Sequence, residues 1–165
     1  METILGTVYG CFEFLFGPFF AEYLWGYNCD TQAYDNPNLF NSIGLTTIAI
    51  ALTIVLLYYY FLNHPRLNGA GHWFIFLLLA SAINLLVAYF WTVSDYVSGN
   101  IQDCLQYTRD EAGNILAQLI YKTDCWKFGM ANAWVSAIVF VIFSFMLKWW
   151  SSNCKHSPTL LKYKK

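Results

Sequence analysis

A carboxylic acid within an apolar stretch is the group of this sequence that most invites chemistry. Glu13 lies in "GTVYGCFEFLFG", residues 6–17, among glycines, phenylalanines and a leucine. An ionisable side chain inside a membrane segment is by default a candidate functional site, because a charge in hydrocarbon is expensive. Measured from the ends of the predicted spans, Thr53 and Asn84 lie near the depth of Glu13, close to the bilayer midplane. We therefore predict an intramembrane polar cluster of Glu13, Thr53 and Asn84.

The same cluster also has a purely structural interpretation. A protonated Glu13 can donate a hydrogen bond to Asn84 or Thr53, which would join two helices. Interhelical hydrogen bonds of this kind contribute about 0.6 kcal/mol on average inside a membrane. Both interpretations, an ion or proton site and a packing hydrogen bond, remain open at this point.

Small residues recur at helical spacing along the apolar segments. Gly6 and Gly10 form a G-x-x-x-G pair on the face that carries Glu13 and Gly17. Stripes of small and hydroxyl residues are the usual packing seam between membrane helices, because they let two backbones approach closely. The predicted helix-packing residues are Gly6, Gly10, Gly17, Ser81, Ala88, Gly129, Ala133 and Ser136.

Five cysteines offer either disulfides or thiol chemistry. Cys11 falls within a predicted span and Cys154 within the C-terminal tail. Cys29, Cys104 and Cys125 fall in loops on one side, where disulfides persist if the compartment is oxidising. Because Cys104 and Cys125 bracket the longer loop, we predict that they pair. Cys29 is then free, pairs between subunits, or replaces one of the other two in the bridge.

The layout of spans, outer loops and cysteines resembles the bacterial membrane thiol oxidases that pass electrons from disulfide chemistry to quinone. In that family the first outer loop carries a C-x-x-C pair that performs the exchange. Here the corresponding loop contains "YNCDTQ", with Cys29 alone. The reactive dithiol is missing, so the resemblance is one of layout and this activity is disfavoured.

Metal, cofactor and nucleotide motifs are not evident in the sequence. His64 and His72 lie eight residues apart with no third ligand nearby, and Cys154 with His156 has no specificity as a metal motif. No stretch resembles a phosphate-cradling glycine loop or a nucleophile elbow. We expect no catalytic residues, no metal, no cofactor and no nucleic-acid partner.

The composition is that of a membrane protein. The chain has 165 residues, of which 58% are hydrophobic and 12% charged, whereas soluble domains have about a quarter charged residues. A helix of roughly 20 apolar residues crosses the hydrocarbon core. Three stretches meet this requirement without Asp, Glu, Lys or Arg: about 42–62, 73–93 and 128–147, with the last span drawn to 148.

A fourth span, about 4–25, is marginal. Its ten Leu, Ile, Phe and Val residues contribute roughly −3 to −6 kcal/mol to insertion, against about +2.5 to +3.5 for Glu13. Gly17-Pro18 would kink the helix, which neighbouring helices can tolerate. No Lys or Arg precedes Arg66, so the segment lacks the basic start of a secretory signal peptide. We predict that it spans.

The distribution of basic residues predicts the orientation. The link 63–72 and the tail 149–165 contain basic residues and no acid, whereas the loops 26–41 and 94–127 are mainly acidic. Basic residues favour the cytoplasmic side, so the loops face outward and both chain ends face the cytoplasm of a plasma (inner) membrane. The residues predicted to contact lipid headgroups are Lys155, Lys162, Lys164 and Lys165.

Turn signals define the structure of the loops. Ala112-Gly113-Asn114 separates two strand-like runs, which predicts a hairpin, although a short helix over 112–122 remains an alternative. Asn41 or Ser42 is the predicted N-cap of the second span.

Together these features predict an all-α polytopic membrane helical bundle of four transmembrane helices. It is a single membrane domain over 1–165, with a small disulfide-capped extracytoplasmic loop. The expected function is a non-catalytic subunit that oligomerises or docks in a membrane assembly. The expected partners are the lipid bilayer and copies of itself or other membrane subunits. The alternatives are a small ion channel or pore subunit built around Glu13 and, less favoured, the thiol oxidase.

Overall fold

A computed structural model describes residues 4–62, 69–110 and 112–151. The chain is mostly helical, at 74%. It divides into two compact units, residues 1–46 with 85–132 (the first unit) and residues 47–84 with 133–165 (the second unit). The predicted lipid-contacting residues Lys155, Lys162, Lys164 and Lys165 lie outside the described residues, as do Cys154, His64 and His156.

Three long helices form the main part of the chain. In the described residues, Leu39–Leu62, Ala70–Ser98 and Lys122–Trp150 are long and apolar enough to cross a membrane, with 24, 29 and 29 residues. At about 1.5 Å per residue the shortest is about 36 Å long, more than the roughly 30 Å of hydrocarbon. These helices confirm the predicted segments 42–62, 73–93 and 128–148 as membrane-length helices, with longer bounds.

The helices and strands follow one another in a simple order. Three short helices come first, and the first long helix ends in a π-helical turn, Leu57–Leu62. A short helix and a hairpin lie between the second and third long helices, and the third is followed by a 3-10 turn. The bounds are α1 Ile4–Gly10, α2 Glu13–Phe16, α3 Pro18–Trp25, α4 Leu39–Leu56, α5 Ala70–Ser98, α6 Asp103–Gln106, β1 Tyr107–Arg109, β2 Ile115–Gln118 and α7 Lys122–Leu147.

The segment 4–25 is not the continuous spanning helix that its composition predicts. Its helices α1, α2 and α3 contain only 7, 4 and 8 residues. The Trp25 ring lies so close to the Cα of Gly6 that a side chain on Gly6 would collide with it. In a straight helix these two residues would be about 28 Å apart. The segment therefore folds back on itself.

The break between α2 and α3 has a local cause. Gly17 has φ 87° and ψ 158°, a conformation that L side chains rarely adopt. Pro18 follows as the first residue of α3, where its missing N–H is not needed by the helix. What appeared to be a kink in a spanning helix is a chain reversal.

Aromatic packing holds the folded-back segment in the first unit. Phe40, near the start of α4, contacts the Tyr9 ring at 5.3 Å and the Trp25 ring at 5.2 Å between centroids. Phe16 packs edge-on against Phe128 of α7 at 5.4 Å. Tyr9, Phe16, Phe40 and Phe128 are at most 2% exposed. The first and the last part of the segment thus pack on the same buried ring, that of Phe40.

The loops contain a hairpin, so the chain is not entirely α-helical. β1 and β2 pair antiparallel, with Tyr107 opposite Gln118. The predicted Ala-Gly-Asn turn is confirmed: Gly113 has φ 83°, and Asp110 accepts hydrogen bonds from the backbone N–H groups of Ala112 and Asn114. The alternative of a helix over 112–122 is wrong for this stretch.

Helix α4 begins earlier than predicted. Its first residue is Leu39, and the Asn38 side chain accepts a hydrogen bond from the Asn41 backbone N–H at 3.1 Å. This is the N-cap interaction, in which a side-chain oxygen satisfies an unpaired N–H of the first turn. The cap is therefore Asn38, and the prediction of Asn41 or Ser42 is wrong.

The second unit has its own apolar core at the π-helical end of α4. Tyr58, Tyr59 and Phe140 are fully buried there. The indole N–H of Trp73 in α5 donates to the Ser144 hydroxyl of α7 at 3.2 Å, and the Ser151 hydroxyl donates to the Tyr59 carbonyl at 2.9 Å. These two hydrogen bonds join polar groups of different elements, which lowers the cost of burying them in an apolar medium.

Candidate functional site

A polar network connects the three long helices within the second unit. Asn84, at the centre of α5, is 0% exposed, and its side-chain amide donates to the Ser136 hydroxyl of α7 at 2.7 Å. The same amide approaches the Thr47 carbonyl of α4 at 3.5 Å. Ser136 and Thr47 are also 0% exposed. The Asn84 amide nitrogen, the Ser136 hydroxyl and the Thr47 carbonyl thus meet away from solvent.

The other two residues of the predicted cluster have different surroundings. The Thr53 hydroxyl is exposed and donates to the Ala49 carbonyl of its own helix at 2.8 Å. Glu13 is the first residue of α2 and is half-buried. Among the described residues, none donates a hydrogen bond to the Glu13 carboxylate. The cluster of Glu13, Thr53 and Asn84 stays a prediction.

A second buried pair was not predicted from the sequence. In the first unit the Tyr9 hydroxyl donates to the Asn132 side-chain oxygen, and both residues are 0% exposed. Asn132 lies one helical turn before Ser136 and one residue before Ala133, on the predicted packing seam of α7. The spacing of Asn132 therefore indicates a packing position in the sequence, but its pairing with Tyr9 depends on the chain reversal in segment 4–25.

The predicted packing residues behave in different ways. Gly129 faces the Leu85 carbonyl of α5, which would lie 3.1 Å from an added Cβ, so α5 and α7 approach closely there. Ala88 and Ser136 are fully buried, whereas Ala133 and Ser81 are half-buried. Within the described residues the Ser81 hydroxyl has no hydrogen-bond partner.

The glycine stripe of the first segment is not one continuous seam. Gly6 packs against Trp25 of its own segment. Gly10 and Gly17 have no atom within 4 Å of an added Cβ. A close contact is made instead by Gly44 of α4, which was not predicted as a packing residue. A Leu5 side-chain atom would lie 3.0 Å from a Cβ added at Gly44.

The disulfide joins Cys29 to Cys104, with a Cα–Cα distance of 6.3 Å. The predicted Cys104–Cys125 pair is therefore wrong, and the alternative in which Cys29 replaces Cys125 is the one that forms. Cys125 is a free, fully buried residue of α7. Gln102 supports the bridge: its side-chain oxygen accepts from the Cys29 N–H at 2.8 Å, and its amide donates to Asn28 at 3.2 Å.

A cavity lies beside this bridge, in the first unit. Its volume is about 380 Å³, in the range of small-ligand pockets. We call it the loop cavity. It lies at the C-terminal ends of α3 and α5 and the start of α4, and it is lined by Tyr23, Gly26, Tyr27, Asn36, Pro37, Leu39, Asp95, Asn100, Gln102 and Leu105.

The walls of the loop cavity are held by backbone geometry. Gly26 ends α3 in the left-handed conformation, with φ 85°. The Asn36 carbonyl passes so close to it that no side chain would fit on Gly26, and the Asn36 N–H donates to the Gly26 carbonyl at 3.1 Å. These contacts hold together the two ends of the loop between α3 and α4.

Asp95 is the charged group of the loop cavity. Its carboxylate accepts a hydrogen bond from the Tyr23 hydroxyl at 2.6 Å and one from the Asn100 amide at 2.9 Å. Gly99, with φ 74°, lets the chain turn after α5 so that the Asn100 N–H also reaches the Asp95 carbonyl at 3.0 Å. This closure is the Schellman type of helix end, and it brings the Asn100 side chain back to Asp95.

No protein-family model, curated protein or solved structure matches this chain. Its class therefore rests on its own structure. The chain is a mostly helical protein with three helices, among the described residues, that are long and apolar enough to cross a membrane.

Proposed function

We propose that this chain is a non-catalytic membrane protein that docks through α5 onto a transmembrane helix of another subunit or of a second copy. The observation that supports the proposal is the low burial of α5. Only 17% of its most apolar stretch is buried, against 33% in each of the other two long helices. The helix with the highest hydropathy is thus the one that its own chain covers least.

The open side of α5 has the spacing of a helix-packing surface. Ile75, Leu78 and Leu79 are 60%, 51% and 47% exposed, and Ala82 is also exposed. Their i, i+3, i+4, i+7 spacing places them on one face, which we call the α5 face. Lipid tails can cover apolar side chains at no cost, but a small residue between large ones also allows a second backbone to approach. Ala82 supplies that small residue.

The ion-pore alternative has less support. A pore needs polar groups that face its lumen, whereas Asn84 and Ser136 are fully buried and hydrogen-bonded to each other. The thiol-oxidase alternative lacks an exposed dithiol in the described loops, because Cys29 and Cys104 form a single bridge and Cys125 is buried. These observations favour docking over both alternatives.

We further propose that the face carrying the disulfide lies on the outer side of a plasma (inner) membrane. The described loops carry Asp30, Asp35, Asp103 and Asp110, and a disulfide persists in an oxidising compartment. Basic residues of the link 63–72 and the tail 149–165 favour the cytoplasmic side. With three crossings the N-terminal end lies outside, in place of the cytoplasmic position expected with four.

Photo-crosslinking from the α5 face tests the docking proposal. A photoreactive residue at Leu79, in membranes of the expressing cell, is expected to give a chain-to-chain or chain-to-subunit adduct, identified by mass spectrometry. Ala82→Leu is expected to reduce the adduct at least tenfold, because added bulk keeps the second backbone away. Ala49→Leu is the matched control: it makes the same change at an exposed position of α4 and leaves the adduct unchanged. Adducts with lipid alone would refute the proposal, and so would equal yields from the two variants.

A further inference from the structure

We propose that the loop cavity binds a small organic ammonium group, carried either by a free amine or by a lipid headgroup. The proposal concerns the first unit only and is independent of docking through α5. It rests on the charge inside the cavity, on the way that this charge is oriented, and on the groups that surround it.

The loop cavity contains a negative charge that no described residue neutralises with an ion pair. Asp95 lines it, and no Lys or Arg is among its lining residues. In the described part of the chain the ion pairs are Arg109–Asp103 and Lys127–Asp124, neither of which involves Asp95. An anionic ligand would be repelled, whereas a cation would supply the missing charge.

The Asp95 carboxylate is held in place rather than left free to rotate. One oxygen accepts from the Tyr23 hydroxyl and the other from the Asn100 amide. These donors are neutral, so they orient the carboxylate without cancelling its charge. Each oxygen of a carboxylate has two lone pairs, so each can accept one more hydrogen bond from a ligand.

The groups around the carboxylate also suit an ammonium ion. Tyr23 and Tyr27 are among the residues that line the cavity, and the face of a tyrosine ring attracts alkylammonium groups. The Tyr27 ring is itself supported by Tyr34, which packs edge-on at 5.4 Å between centroids. Pro37 and Leu105 provide apolar lining for carbon substituents. The cavity offers a metal ion a single carboxylate, and among the described residues no three His, Cys, Asp or Glu side chains form a group that could hold one.

The position of the loop cavity favours access from the bilayer surface as well as from solution. Leu39 begins one membrane-length helix and Asp95 lies in the last turn of another. Helix ends of this kind lie at headgroup depth when the helices span. An ethanolamine headgroup and a free amine therefore offer the same chemistry, and the experiment separates the two.

Binding can be measured on the full chain in lipid nanodiscs. Nanodiscs of phosphatidylglycerol alone offer no amine, so choline and ethanolamine are titrated into them and followed by calorimetry. The uncharged isosteres of choline and of ethanolamine, each with carbon in place of nitrogen, are titrated in parallel. Asp95→Asn keeps the shape and an acceptor oxygen for Tyr23 but removes the charge. Asp30→Asn makes the same change at an exposed position outside the cavity.

We expect saturable binding of at least one amine, at least tenfold weaker for the uncharged isostere and for Asp95→Asn, and unchanged for Asp30→Asn. If phosphatidylethanolamine in the nanodisc competes with the free amine, the occupant is the headgroup; if it does not, the occupant is a soluble amine. Lack of saturable binding in the amine-free nanodiscs refutes the proposal. Equal affinity for the amine that binds and its uncharged isostere also refutes it, and that comparison uses the unaltered chain, so it does not depend on the folding of any variant.

Discussion

Replacing each of two glycines of α1 by alanine distinguishes the folded-back segment from a straight spanning helix. In a helix interior Gly→Ala stabilises by about 0.5–1 kcal/mol, because glycine has more conformational freedom to lose on folding. Gly10 is the last residue of α1 and nothing lies within 4 Å of its added Cβ, so Gly10→Ala is expected to stabilise by up to this amount. At Gly6 the added Cβ meets the Trp25 ring, and overpacking costs about 1–3 kcal/mol. We expect Gly6→Ala to be less stable than Gly10→Ala by about 1–3 kcal/mol.

The measurement is the free energy of unfolding in mixed micelles titrated with sodium dodecyl sulfate, followed by circular dichroism. A double variant, Gly6→Ala with Trp25→Ala, supplies the control. Removing the ring removes the collision, so the two changes are expected to show an interaction free energy of the same size and favourable sign. In a straight helix Gly6 and Gly10 lie on one face and would respond alike. Equal stabilities of the two single variants, within about 0.5 kcal/mol, would contradict the chain reversal.

Three further predictions concern polar groups. Tyr9→Phe removes the hydrogen bond from the Tyr9 hydroxyl to the Asn132 side-chain oxygen and is expected to lower the free energy of unfolding by about 0.5–1.5 kcal/mol, measured in the same micelles. Asn84→Leu removes the bond to Ser136, and a loss of about 0.6–1.7 kcal/mol is expected; no loss would mean that this bond does not contribute. Hydrogen bonds from Asn114 hold the pKa of Asp110 below its ordinary value. The ionised carboxylate therefore stabilises the turn at pH values above the ordinary pKa, and this stabilisation is lost as the pH falls through the lowered pKa. The Asn114 amide resonance should follow the change; a shift already complete near pH 5 would contradict it.

Much of the fold follows from composition and local pattern. Runs without charge predict α4, α5 and α7, because crossing hydrocarbon requires about 20 apolar residues whatever their order. The hairpin follows from Gly113 and its polar neighbours, since turn chemistry is local. These features depend on residues close together in the chain, which is why they can be read directly.

The parts that could not be predicted depend on contacts between distant residues. Gly17-Pro18 indicates a break in the helix. Whether the chain only bends there or reverses depends on the contact of Trp25 with Gly6 and on the packing of Tyr9 and Trp25 against Phe40. The insertion free energy of that segment is close to zero, so such contacts decide its course.

The pairing of particular residues could not be predicted from the sequence either. Three loop cysteines allow three pairings, and loop length favours none strongly, because closure entropy changes slowly with length. Asn84 is at the predicted depth, but its partner Ser136 follows from the rotation and register of α7, which the packing of whole helices determines.

The bridge between Cys29 and Cys104 has a mechanical consequence. Its two ends are 75 residues apart, and the enclosed stretch contains both α4 and α5 in full. That stretch is a closed covalent ring of main chain; the folded-back segment precedes it in the sequence and α7 follows it. A protease cutting at a site engineered into the link 63–72 would open the ring without releasing a fragment. The nicked protein would run as one species on a denaturing gel until a reducing agent separated it into two.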